Sequence, residues 1–313
     1  MHPGWTFVES GPRLSTMLHE PRRREFLRAL SAGAVALAGS PLFAGADTVS
    51  EVTRLASGVS LVRGPGGGNI VVAEAADALL LVNGDQRATG QPVLDQIRAR
   101  FGGRPVTMLV NTDWHLAHSG LNEPLRKAGA TVVAHEYTKQ YLQRAGLKAG
   151  LPTKTFYTTE TLTFGGQTVE CQHLGQAHTD GDISVFFRGA NVLAAGDLLS
   201  PGRYPIPDVA SGGWLGGMVT ATKTLLDLVN EQTQIVPGTG AVQTRAALDA
   251  QHRMLAAVRE KFVKMMRQGM SADDMLAGGI TQEFDAQWGD PKEFIHAAYK
   301  GMWLHVRELG GIV

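Results

Sequence analysis

The sequence predicts an α/β protein in which blocks of strands and helices alternate through two successive halves. Short apolar runs rich in β-branched and aromatic residues, such as 106–110 and 183–187, are bounded by Gly, Asn and Pro and are too short to be buried helices. Elsewhere apolar residues recur at helical spacing, as at Val93, Ile97 and Phe101, and along Leu248, Leu255, Val258, Phe262 and Met265. At 313 residues, 43% of them hydrophobic, the chain can bury a substantial core in one or two domains.

Residues 1–46 stand apart as a twin-arginine signal peptide region. Arg22-Arg23-Arg24-Glu25-Phe26-Leu27-Arg28 fits the twin-arginine export pattern, with Arg23 and Arg24 as the pair. A moderately apolar stretch, 29–43, follows and ends in Ala44-Gly45-Ala46, an A-x-A cleavage signal. That stretch is too short, and too interrupted by Ser31, Gly39, Ser40 and Pro41, to span a membrane. The mature chain is expected to start near Asp47, in the periplasm or otherwise outside the cytoplasm. Its precursor would meet the twin-arginine export machinery, and the product would keep no membrane attachment. Met17 offers a more typical signal start than Met1.

From there the elements follow in order. Residues 55–61 and 69–73 read as short strands around the Gly64-Pro65-Gly66-Gly67-Gly68 turn, and 78–82 as a buried strand ending at Asn83-Gly84-Asp85. A helix over 91–101 stops at Gly102-Gly103, and the strand 106–110 runs into a polar loop. A helix over 123–128, a strand over 131–134 and a helix from His135-Glu136 through Leu142 complete the first half. The second half has strands at 162–164, 167–173, 183–187 and 191–194, a helix at 220–228 and a short strand at 235–236. Helices over 245–270 and 294–306 close the chain, so the main domain is read as 47–313, with a helical C-terminal extension from about 245.

Charge and cysteine content narrow the function classes. A formal net charge of zero without a long basic run argues against nucleic acid and leaves a small molecule as the expected partner. Cys171 is the single cysteine, so an intrachain disulfide and a thiolate zinc cluster are both excluded.

The polar loop at 110–122, V-N-T-D-W-H-L-A-H-S-G-L-N, is the organising stretch of the chain. His115 and His118 lie three apart, with Asp113 two residues before the first, and imidazole with carboxylate points to a metal. These residues resemble the signature loop of the metallo-β-lactamase-fold superfamily, N-T-H-x-H-x-D-H-x-G-x-N. Asn111, Thr112, His115, His118, Gly120 and Asn122 match it, while Asp113 stands for its first His and Ala117 for its Asp. Three further loops carry the likeness. Residues 175–182 resemble G-x-A-H-T-x-G-D and contribute His178, 195–198 resemble A-G-D-x and contribute Asp197, and 236–240 resemble P-G-H-G with Thr239 in place of the His.

The resemblance spans roughly residues 52–255 and implies the four-layer αββα sandwich of that superfamily. It also implies a metal site held by Asp113, His115, His178 and Asp197. The second site of the family would fall on Ala117, His118, Thr239 and Asp197, two of which are poor or absent donors. At most one tightly bound divalent cation is therefore expected, zinc by default, with manganese or iron made more competitive by the extra carboxylate. The implied activity is metal-assisted hydrolysis of an ester, amide or thioester, with Asp197 or His118 replacing the missing acid at 117 as base. The alternative is a catalytically weak or inactive relative that binds a periplasmic ligand. Asp85 sits one or two residues from the position where the family carries a supporting Asp. Trp114, Tyr204 and Trp214 are candidates for a cleft wall or for core; His135 is read as a support behind the metal ligands or as structural rather than as a ligand, and His173, His252, His296 and His305 as structural.

Overall fold

The computed structural model describes residues 49–50, 52–85 and 90–309; the export motif at Arg23 and Arg24, Met17 and the cleavage signal before Asp47 lie outside the described residues. Two sheets form the centre. In the first, β1 (Thr53–Ala56), β2 (Val59–Arg63), β3 (Asn69–Glu74), β4 (Leu79–Val82), β5 (Val106–Val110), β6 (Thr131–His135) and β7 (Lys154–Phe156) lie side by side in chain order. Pairing is antiparallel as far as β4 and parallel beyond it. The second sheet runs β8 (Thr159–Phe164), β9 (Gln167–His173), β10 (Ile183–Phe187), β11 (Val192–Gly196) and β12 (Gln234–Pro237), antiparallel except for the last pair.

The parallel pairs require crossovers, and helices supply them. They are α1 (Gly90–Arg100) before β5, α2 (Leu116–Ser119) and α3 (Asn122–Lys127) before β6, α4 (Glu136–Arg144) before β7, and α5 (Leu215–Leu228) before β12. After β12 come α6 (Arg245–Met266), α7 (Ala272–Ala277), α8 (Gln282–Trp288) and α9 (Lys292–Leu304). No helix of the described residues is long and apolar enough to cross a membrane.

Strand periodicity sorts the apolar side chains into layers. Leu80 and Val82, with Val59, Leu61, Val71 and Ala73, point at the other sheet and meet Val169, Val185, Phe187, Val192 and Ala194. Their strand neighbours Leu79, Leu81, Ile70 and Val72 point the opposite way, onto Val93, Leu94 and Ile97 of α1 and Leu125 of α3. On the far side, Leu193, Ala195 and Ile235 pack against α5 and α6, and α9 joins the same cluster through Phe294, Ile295 and Met302. Three apolar interfaces between four layers make this the αββα sandwich expected from the sequence.

Several boundaries move. The run expected as one strand at 55–61 is two strands with a turn at Gly58, whose φ of 69° is left-handed. The short β7, α7 and α8 were not anticipated. The helix expected at 220 begins at Leu215; its first turn holds Gly216 and Gly217, poor helix formers that hide it in the sequence, and Gly217 lies where the helix docks on the loop of Gln176. The 245–270 helix ends at Met266.

His135 joins the halves of the fold. It ends β6 and caps α4, its Nδ1 accepting the backbone N–H of Tyr137 at 3.2 Å, while its ring stacks on His173 of β9 at 3.7 Å. Burial first, and the facing His173 second, push His135 down from 6.5 to about 4. A group that stays neutral in the folded chain but takes a proton near 6.5 when unfolded makes the unfolded state the better proton binder between those values. Stability from this pair is complete above pH 6.5 and is lost as pH falls towards about 4. The measured Tm should decline over that window, and the imidazole resonance of His135 should titrate near 4; a midpoint close to 6.5 would contradict this account.

Candidate metal centre

The four motif loops leave the sheets at one edge. They follow β5, β9, β11 and β12, which are aligned so that the ends of β5, β11 and β12 and the β9–β10 connection meet there. One donor atom from each of Asp113, His115, His178 and Asp197 lies within 4.8 Å of the others, so the structure brings together the four residues singled out from sequence.

Each donor is held by its loop. Asn83, at a φ of 64° that Asn tolerates better than most residues, accepts both the N–H (2.9 Å) and the hydroxyl (3.0 Å) of Thr112 on its Oδ1. This fixes the start of the loop. Asp85, the anticipated support, instead accepts the N–H of Gly66 and braces the glycine turn. Asn111 donates to the carbonyl of His118, and Asn122 donates to Asn111, closing the loop on itself. Asp113, a short side chain at the position of an expected His, still reaches the cluster. Its Oδ1 accepts the N–H of His115 at 2.8 Å, and its Oδ2 lies 2.7 Å from Nδ1 of His118.

The loop of His178 is seated by backbone contacts. Asp182 Oδ2 accepts the N–H groups of His178 and Thr179, and its Oδ1 accepts the Thr179 hydroxyl. Burial and nearby Asp113 push the Asp182 carboxyl up to about 8, against the opposing pull of these three hydrogen bonds. From the other side, Trp214 N–H donates to the carbonyl of Ala177 and Asp208 N–H to that of His178. The approach depends on missing side chains. A Cβ on Gly213 would lie 2.0 Å from the His178 carbonyl oxygen, and one on Gly217 1.5 Å from that of Gln176.

The loop after β12 also closes on a glycine, since a Cβ on Gly238 would stand 2.2 Å from Asp197 Oδ1 and 2.8 Å from His118 Nε2. Asn69 ties it down by donating to the carbonyls of Pro237 and Gly240. Thr239 accepts a hydrogen bond from Arg203 at 2.6 Å.

Two kinds of histidine result. His118 is 1% exposed and lies between Asp113 and Asp197, its Nε2 3.4 Å from Asp197 Oδ1. Burial acts to lower its pKa, but Asp113 and Asp197 carry it well above the usual imidazole value. For Asp113 burial acts to raise the pKa, yet the imidazoles of His118 and His115 hold it well below the carboxylate range. His178 has no carboxylate at hydrogen-bond distance among the described residues, and burial outweighs the pull of Asp197 and lowers its pKa. Nδ1 of His178 is buried without a hydrogen-bond partner, and Nδ1 of His115, though 3.3 Å from Asp113 Oδ1, makes no aligned hydrogen bond, an arrangement that costs free energy unless an electrophile satisfies them. A divalent cation among two imidazoles and two carboxylates removes that cost, so the donor set fits a metal.

Sequence reading missed two contributors. Asp208 Oδ2 lies 3.2 Å from His115 Nε2 and accepts the Ser211 hydroxyl at 2.5 Å; nothing in the spacing of the motifs pointed to it. Asn83 was adjacent to the expected support but was overlooked. The aromatic candidates separate. Trp114 is half-buried beside His115, with ring centroids 4.9 Å apart, and stacks on Tyr141. Tyr204 and Trp214 are core rather than cleft wall: Tyr204 stacks on Phe294, and Trp214 on His305.

Comparison with known proteins agrees with this architecture. The sequence profile of the metallo-beta-lactamase superfamily matches residues 63–234. Among curated proteins, 2,4-dinitroanisole O-demethylase subunit alpha of Nocardioides sp. (strain JS1661) is 23% identical over 182 residues, 57% of this chain and 54% of that protein. The match therefore spans about half the length of that relative. Metallo-beta-lactamase type 2 of Bacillus cereus is also 23% identical over 182 residues, covering 58% of this chain and 70% of the lactamase. In three dimensions, the metallo-beta-lactamase from Pontibacter korlensis aligns with a TM-score of 0.58 at 22% identity, over 66% of this chain and 98% of its own. The DIM-1 metallo-beta-lactamase aligns at 0.57 and 16% identity, over 67% and 97%. At these identities the structural likeness speaks for the fold alone.

Proposed function

This chain belongs to the metallo-beta-lactamase superfamily, and on that premise we propose that it is an exported hydrolase using one divalent cation, zinc by default, to cleave a small ester, amide or thioester. The supporting observation is the convergence of Asp113, His115, His178 and Asp197 within 4.8 Å. Manganese or iron would also suit a site with two carboxylates. When bound, the cation would polarise the scissile carbonyl and acidify a water.

The protein's own groups handle the proton. Asp197, with its side chain 27% exposed, faces the opening, whereas His118 behind it is walled off from solvent. His118 therefore acts through Asp197: its Nε2, 3.4 Å from the carboxylate, holds Asp197 in place as the group that takes the proton, and Asp113 Oδ2 holds the opposite nitrogen at 2.7 Å. No acid stands at Ala117 to share this work, so turnover is slow. The same residue favours the second reading, a relative that binds a periplasmic ligand with little or no turnover. Export is supported by Arg23-Arg24 and by Ala44-Gly45-Ala46. The two curated relatives differ in the substrate their names carry, an anisole in one and a lactam in the other, so the ester, amide or thioester class rests on the chemistry of the donor set.

Metal analysis tests both halves of this reading. Protein purified in folded form and reconstituted should hold about one equivalent of a divalent metal. Less than about a tenth of an equivalent sinks the hydrolase reading. The Ala117→Asp, Thr239→His double variant should gain a second equivalent, because it restores an acid and an imidazole beside His118 and Asp197. An unchanged stoichiometry would show that the missing donors are not what limits the site to one ion.

A further inference from the structure

His115 can serve the cluster only through Nδ1, and the structure shows what holds it that way. Its Nε2 points at Asp208 Oδ2, 3.2 Å away, while Nδ1 is buried toward the cluster, 3.3 Å from Asp113 Oδ1 without the alignment of a hydrogen bond. Asp208 is itself fixed from three directions. Its Oδ1 accepts the N–H groups of Ala210 and Ser211, capping the short 3-10 helix Val209–Ser211, and its Oδ2 accepts the Ser211 hydroxyl. Ser211 Oγ in turn accepts the indole N–H of Trp114 at 2.9 Å, and Trp114 precedes His115 in the chain. The result is a closed circuit, Trp114 to Ser211 to Asp208 to His115, joining the loop after β5 to the segment after β11. A carboxylate in this position accepts from a ring N–H and donates nothing, so it keeps Nε2 protonated and leaves Nδ1 as the nitrogen that a cation can take.

Building on the single-metal reading, we propose that Asp208 is the positioning residue of the metal site, selecting Nδ1 of His115 as the donor through the Trp114–Ser211 relay. Asparagine provides the sharpest test. If its amide oxygen keeps the cap on Ala210 and Ser211, its NH2 faces Nε2, and a donor opposes a donor. The imidazole must then move its proton to Nδ1 or turn away, and in either case it stops being a ligand.

The experiment compares wild type, Asp208→Asn and Ser211→Ala by chelator competition for Zn2+ and by the visible absorption of the Co2+-loaded protein, with the thermal midpoint of the metal-free forms as the folding control. Asp208→Asn should bind Zn2+ roughly 10- to 100-fold more weakly, the usual cost of losing an outer partner, and should change the Co2+ spectrum. Ser211→Ala should show a smaller loss in the same direction, and it decides the matter if the Asp208 variant does not fold. Variants that bind within about twofold of wild type with an unaltered Co2+ spectrum overturn the positioning role while leaving the single-metal reading in place. A wild-type protein that takes up neither ion overturns both.

Discussion

Replacing His178 with alanine should abolish metal binding while leaving a folded chain. The other two histidines of the motif loops are tied to carboxylates, His115 to Asp208 and His118 to Asp113 and Asp197. His178 alone among them has no such partner in the described residues, and its imidazole is the only one that the β9–β10 connection contributes. Without it, the cluster keeps one imidazole against two carboxylates. The loss should exceed the roughly 10- to 100-fold that removal of an outer partner costs. In chelator competition, Zn2+ or Co2+ should fall from about one equivalent to below detection. The fold should survive, because the loop is held by main-chain groups: the N–H of His178 on Asp182 and its carbonyl on Asp208 N–H. Full occupancy in the His178→Ala protein would show that the ligand set has been misassigned.

The second large effect concerns a residue that touches no ligand. Gly217→Ala would place a methyl carbon 1.5 Å from the carbonyl oxygen of Gln176, and no rotamer relieves a clash between a Cβ and a backbone atom. Either α5 or the loop carrying His178 must retreat by more than an ångström. Overpacking in a close-packed interior typically costs about 1–3 kcal/mol and at times more, and this contact belongs at the upper end. At about 3 kcal/mol, Tm should fall by roughly 6–12 °C for a domain of this size. The shift also acts on chemistry, since His178 lies two residues beyond Gln176, and metal affinity should weaken with stability. Differential scanning calorimetry of the metal-free protein separates the two. An unchanged Tm would mean that α5 and the loop are not seated against one another as described.

Much of the fold was legible because β-branched runs and helical spacing report burial directly. Both faces of β4 are buried, and its unbroken Leu79-Leu80-Leu81-Val82 run said so. Short elements carried no such signal: β7 has three residues and α7 six, too few for periodicity to emerge. The four clustered donors were legible because each lies inside a motif whose neighbours fix its meaning. Asp208 was not, since it reaches His115 across 93 residues from a segment without a family pattern. That the sequence left Tyr204 and Trp214 open between cleft wall and core has a related cause. An aromatic residue in a loop rich in Pro and Gly can face solvent or core, and here α9, through Phe294 for Tyr204, and the following His305, for Trp214, supply the surfaces that take them inward.

Thr239 shows how loosely a donor and its scaffold can be joined. The loop that carries it is pinned by Asn69, by the bond from Gly238 N–H to the Gly196 carbonyl, and by close approach to Asp197, none of which involves the side chain at 239. A donor could therefore be exchanged there without the neighbouring loops losing their places. The same holds for His178 in its own loop. Coordination chemistry and architecture are thus separately variable in this chain, and a change of metal number or of metal asks for new side chains on a frame that need not be rebuilt.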